Sequence, residues 1–140
     1  MKFRSILLLF AFVMIMAACN VGHEADNDRT LDEVVRAMKA EGLTPIDKGE
    51  ADSDALAQVK PRLFAISAPN EDAANAESVY VYQFDSNQDL KEAIKQQHYT
   101  VTTLTAIKNY EKQNVLVVYF ATGGKIEKFG GKIQSAIDGL

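Results

Sequence analysis

The sequence predicts an α+β domain: a mostly antiparallel sheet of about four to five strands with two to three helices packed on one face. Three observations lead there. Along the chain the elements run helix, strand, strand, strand, helix, strand, strand, helix. The links between consecutive strands are short and polar, and a parallel pairing would need a crossover of a dozen or more residues. Apolar residues at helical spacing mark both ends of the domain, while the middle is β-branched and aromatic.

Taken in order, Thr30 is a helix N-cap with Glu33 at the capping-box position. Leu31, Val34, Val35 and Met38 then repeat at i, i+3, i+4, i+7, and Gly42 closes the helix. Leu43 to Lys48 reads as a short strand that Pro45 confines to a sheet edge or a strand start. Gly49 to Asp54 is an acidic turn, with Ser53 placed to cap a short helical turn through Leu56 and Val59. Leu63 to Ser67 and Val79 to Phe84 are strands joined by the polar loop Pro69 to Glu77. Ser86, with Asp89 three residues on, opens a second, weaker helix through Leu90, Ala93, Ile94 and Gln97. Thr100 to Ala106 leads into a strand including Ile107 and Tyr110, and a turn follows at Glu111 to Asn114. Val115 to Thr122 is apolar at both parities, the pattern of an interior strand. Ile126, Phe129, Ile133, Ile137 and Leu140 form one face of a terminal helix, in which Gly130 and Gly131 either permit close packing on the sheet or mark a break or a late start.

The N-terminus is of another kind. Lys2 and Arg4 precede thirteen uncharged residues, Ile6 to Ala18. As a helix this run reaches about 20 Å, short of the roughly 30 Å hydrocarbon core, so an export signal fits better than a permanent span. It ends in Met16-Ala17-Ala18-Cys19. This resembles the lipobox of bacterial lipoproteins, with Met16 where that family prefers Leu. The resemblance implies removal of residues 1–18, a diacylglyceryl thioether on Cys19, and residence at the extracytoplasmic face of the cell membrane. Two acyl chains give stable anchoring where one is marginal. The competing reading is an ordinary secretory signal followed by an incidental cysteine. Residues 19–29 then form a polar tether, and residues 30–140 a single domain.

A second resemblance rests on Val59-Lys60-Pro61 with Phe64 and Ile66, and on Tyr80-Val81-Tyr82-Gln83-Phe84-Asp85-Ser86 with Leu90 and Ala93. Asn114 to Phe120 and the terminal amphipathic helix complete it. Together these are similar to a group of small uncharacterised lipoproteins of Gram-positive bacteria. The likeness spans most of residues 30–140 and rests on strand patterns. It implies a lipid-anchored domain outside the membrane and brings no catalytic residue with it.

Charge narrows the function classes. The chain carries 15 basic and 19 acidic residues; Lys2 and Arg4 lie in the leader, which leaves a net charge of −6 for the remainder. No basic stripe exists to neutralise phosphates or to dock on anionic headgroups, which argues against nucleic acid as a partner. Cys19 is the chain's single cysteine, so no internal disulfide forms.

Candidate sites are few. His23, Glu24, Asp26 and Asp28 are dense in ligand-type atoms, but a tether would lose much entropy on ordering around a metal. Asp47, Glu50, Asp52 and Asp54 superficially follow a calcium loop. Counting from Asp47, the required Gly and Glu positions hold Asp52 and Gln58, which leaves a weak cation site at most. Gly123-Gly124-Lys125 lacks P-loop spacing. No metal and no cofactor is expected. Tyr80, Tyr82 and Phe84 share one strand face, and Tyr119 lies on the other interior strand. If helices cover one sheet face only, a tyrosine stripe remains to meet a partner, and tyrosine suits such a surface. The expected function is therefore a non-catalytic module that binds an envelope protein or a small ligand through this face. The alternative is a small envelope hydrolase using His98 and a carboxylate.

Overall fold

The computed structural model describes residues 28–140. The expected leader, Cys19, and the tether as far as Asn27, with His23, Glu24 and Asp26, lie outside the described residues.

Helix α1 (Leu31–Ala40) starts where the capping box places it. The Thr30 side chain accepts the Glu33 N–H, and the Glu33 carboxylate accepts the Thr30 N–H at 2.8 Å. Gly42 then takes φ +72°, which turns the chain so that the Leu43 N–H bonds back to the Met38 carbonyl at 3.0 Å.

Five strands follow: β1 (Thr44–Glu50), β2 (Arg62–Ser67), β3 (Glu77–Gln83), β4 (Thr105–Lys112) and β5 (Val115–Thr122). They form one antiparallel sheet in the order β1-β2-β3-β5-β4. The chain leaves β3 through helix α2 (Asn87–Lys95) and lays down β4 one place out, so that β5 returns between them. The apolar content of β5 explains this choice: seven of its eight residues are apolar, and only an interior position buries both of its faces. Pro45 sits on the edge strand β1, where its missing N–H costs no ladder bond inside the sheet.

The helices divide between the two faces of the sheet, a correction to their expected placement on one. Helices α1 and α3 (Gly130–Asp138) cover one face, packing Val34, Met38, Ile133 and Ile137 against Phe64, Ile66, Val79, Val81, Val117 and Tyr119. On the other face, Leu90 and Ala93 of α2, with Leu56, cover Tyr82, Phe84, Leu116 and Val118. The physical reason lies in β3 and β5, which carry large apolar side chains at both parities. Each such side chain contributes about 1.5–3 kcal/mol when buried, so a bare second face would forfeit several of them.

The terminal helix also differs. Ile126–Lys128 forms one 3₁₀ turn, and α3 begins only at Gly130. The glycine pair marks a late start, and the reason is contact. A Cβ built on Gly130 would stand 2.8 Å from Ile126 Cγ2 and 2.8 Å from the Tyr110 hydroxyl. Ahead of Leu56, the acidic segment forms a single 3₁₀ turn, Asp52–Asp54, and Leu56 then bridges to Val59.

Candidate functional site

The expected tyrosine face is not a surface. Tyr82 and Tyr119 are fully buried and Phe84 nearly so, while Tyr80 is half-buried against Phe120 at a ring separation of 4.9 Å. Tyr119 moreover lies in the core opposite the one that holds Tyr82 and Phe84. The four aromatics are packing residues, because α2 and the segment around Leu56 fill the face that a one-sided sheet would have left open.

The acidic segment is similarly accounted for. The Arg62 guanidinium grips Asp47 at 2.7–3.0 Å and holds its carboxyl below the usual range, with help from the Gly49 N–H. Lys60 pairs with Asp52 at 2.7 Å. Among the described residues no group of three or more His, Cys, Asp or Glu is placed to hold a metal. Gly123 and Gly124 form a turn at φ +88° and +75° that leads into the 3₁₀ segment, so no α-helix N-terminus opens on them.

His98 and Asp54 share the lining of one cleft, of about 160 Å³, with Tyr82, Gln97 and Tyr99. The Tyr82 hydroxyl donates to the Asp54 carbonyl at 2.7 Å, and Gln97 Nε2 donates to the Tyr99 hydroxyl at 2.6 Å. Burial drives the Tyr82 phenol far above its ordinary range, so it serves there as a neutral donor.

The most unusual chemistry lies at the opposite end of β3. Three polar residues are buried among those described: Ser67, Glu77 and Asn114. Asn114 has a structural task at the β4–β5 turn, where it accepts the Arg29 N–H at 2.6 Å and donates to the Phe84 carbonyl at 3.0 Å. Glu77 is different, an acid only 4% exposed at the start of β3. Its parity with Val79 and Val81 turns it toward the face covered by α1 and α3. There the Tyr119 hydroxyl donates to its carboxylate. Burial first, then the hydrogen bond to Glu77 and the charge beside it, push the Tyr119 phenol well above its usual range.

Lys128 completes the cluster from the 3₁₀ turn after β5. Its ammonium lies 2.8 Å from Glu71 Oε1, 2.9 Å from the Asn75 carbonyl and 3.8 Å from Glu77 Oε1, and 4.7 Å above the centroid of the Phe129 ring. Glu71 also accepts the Ala68 N–H at 3.0 Å. Together with Ala74, Ala76 and Thr122, these residues line an open polar cleft of about 370 Å³. The size suits a small ligand, and two carboxylates against one ammonium suit a polar ligand with a cationic group. Neither Glu77 nor Lys128 is among the residues that the sequence marks. One sign was available: an acid two residues before Val79, at the parity of the core.

The cluster also makes acid sensitivity predictable. Lys128 first, then the Ala68 N–H, hold the Glu71 carboxyl below its ordinary value, and Asp47 is lowered in the same direction by Arg62. A group lowered by folding adds stability above its unfolded pKa and loses it as pH falls through the folded value. Thermal midpoints should therefore hold from neutral pH down to about 5 and fall below about 4. In Glu71→Gln that fall should be shallower, and an unchanged acid slope in this variant would count against the Lys128 contact.

No known family, curated protein or solved structure matches this chain.

Proposed function

We propose that this protein is an extracytoplasmic lipoprotein, anchored through Cys19, whose domain binds a polar ligand in the cleft around Glu77. The carrying observation is the burial of Glu77 at a cleft mouth. Desolvating a carboxylate is costly, and a strand end that needed only packing would be served by an apolar residue. A neutral phenol and a half-exposed ammonium flank it, so a cationic group on a ligand finds an acceptor already oriented. The anchor is supported by the sequence: two basic residues, an apolar run of thirteen, and the chain's one cysteine immediately after it. No helix among the described residues is long and apolar enough to cross a membrane. The reading is non-catalytic.

Growth with a clickable fatty acid should label the wild-type protein and leave Cys19→Ala unlabelled and released from membranes. Label retained in Cys19→Ala would end the anchoring half of the reading. For the binding half, crosslinking of the lipidated protein on cells should capture a partner that Glu77→Gln loses. Equal capture by a folded Glu77→Gln protein would end the proposed role of the cleft.

The shared lining of His98 and Asp54 favours a second reading, a small envelope hydrolase. In that reading His98→Ala abolishes a hydrolytic activity against ester or amide substrates while the thermal midpoint is kept.

A further inference from the structure

The cleft around Glu77 already contains a cation, and that cation belongs to the protein. A lysine ammonium carries three N–H donors and no acceptor. That of Lys128 meets Glu71 Oε1 at 2.8 Å and the Asn75 carbonyl at 2.9 Å, and lies 4.7 Å from the centroid of the Phe129 ring. Glu77 Oε1 stands at 3.8 Å, too long for a hydrogen bond. Two carboxylates, a carbonyl and an aromatic face thus converge on one ammonium, the groups by which a primary ammonium is recognised. Charge in the cleft does not balance: of its lining residues Glu71 and Glu77 are acidic, and Lys128 alone is basic. The Lys128 side chain is also replaceable. It is 32% exposed, and an ion pair so open to solvent adds little to stability. It leaves the cleft by rotating its own torsions, while Phe129 beside it stays buried.

We infer that Lys128 is a built-in occupant of the ligand's seat, and that the ligand is a terminal primary ammonium on an unbranched alkyl chain, which enters by displacing it. This rests on the reading of the cleft as a binding site. The seat now holds the end of a butylammonium arm, so a ligand arm of the same form satisfies the same contacts. Free diamines and the lysine side chains of peptides both carry such an arm, and an open cleft of about 370 Å³ admits either. A quaternary ammonium has no N–H to give to Glu71 or to the Asn75 carbonyl, and keeps only the ring and the charge. Displacement has a quantitative consequence. If Lys128 fills the seat for about nine-tenths of the time or more, at most about a tenth of the molecules are competent, and the apparent affinity falls at least about tenfold.

The test is titration of the full chain, purified from cells in mild detergent, with cadaverine, Nα-acetyllysine methylamide and tetramethylammonium. Lys128→Ala should bind the primary amines at least about tenfold more tightly than wild type. Lys128→Met, which keeps much of the arm's bulk, should gain in the same direction and guards against a misfolded alanine variant. Lys125→Gln removes a charge from the same turn and leaves the seat filled, so its affinity should stay within about twofold of wild type. Tetramethylammonium should bind every form at least about tenfold more weakly than cadaverine. Preference between the two amines assigns the source, free diamine or peptide side chain, and supports the inference in either case. Displacement itself is read by NMR of lysine-labelled wild type. The Phe129 ring shields the Lys128 ε-methylene, whose resonance is assigned by its loss in Lys128→Ala. Saturating cadaverine should move that resonance to the position of solvated lysines. Equal affinity in wild type and Lys128→Ala, or an ε-methylene unmoved at saturation, would overturn the displacement and leave the cleft as a binding site. Folded wild type and folded Lys128→Ala that bind none of the probes would overturn the reading of the cleft, and the inference with it.

Discussion

Gly130→Ala should lower stability by about 1–3 kcal/mol, a shift of several degrees in the thermal midpoint. A Cβ at Gly130 meets Ile126 Cγ2 and the Tyr110 hydroxyl, both at 2.8 Å, closer than real Cβ contacts come. Alanine is the better helix former by up to about 1 kcal/mol, so the steric term must first overcome that preference. The first turn of α3 has little room to yield, because Phe129, Ile133 and Tyr110 are all buried around it. Tyr110 also supplies an internal control. Its hydroxyl is buried with no hydrogen-bond partner among the described residues, and burial pushes its pKa up to about 12. Tyr110→Phe should thus be neutral or stabilising by about 1 kcal/mol, since an unsatisfied polar atom is removed. Combined with Gly130→Ala it should recover part of the loss, because one of the two clashing atoms is gone. Denaturant titrations of the four proteins give the coupling directly. A Gly130→Ala midpoint at or above wild type would contradict the packing described.

Tyr119→Phe should cost about 1–3 kcal/mol, more than a typical exposed hydroxyl would. The ring and its packing survive, so the loss comes from Glu77, which keeps its burial and loses the phenol donor. Lys128 compensates poorly at 3.8 Å, and the exposure of its ammonium weakens the pair further. Removing both polar partners should be cheaper than removing one. Glu77→Leu with Tyr119→Phe is therefore expected to lie closer to wild type than Tyr119→Phe alone, because no orphaned acceptor remains. That double variant also separates stability from function, since it should fold and still lose any ligand that the cleft binds. Strictly additive losses would mean that the two groups do not act as a unit.

The expectations that hold are those written in local pattern. Thr30 and Glu33 define the start of α1, Ser86 and Asp89 that of α2, and in both the N-cap hydroxyl accepts an N–H three residues on. The doubly apolar run at Val115 places β5 inside the sheet for the same kind of reason: its burial needs are visible without knowing its neighbours. The α+β class follows from these elements and the short links between strands. The tyrosine stripe fails because its premise was not local. Whether Tyr82 and Phe84 meet solvent depends on which side of the sheet α2 crosses, and no residue within α2 encodes that side.

What the sequence by itself determined is the caps, the strand parities, the class of fold and the composition of the N-terminal run, because each depends on residues within a few positions of one another. Only the tertiary structure decided that both faces of the sheet are covered and that Glu77 is a buried acid. Its phenol partner lies 42 residues away, and the Lys128 ammonium reaches the Asn75 carbonyl across 53. Contacts at that separation exist only after β3 and β5 have paired and the 3₁₀ turn has closed behind them. The energetic consequence of a buried charge belongs to that assembly and to no segment of the chain.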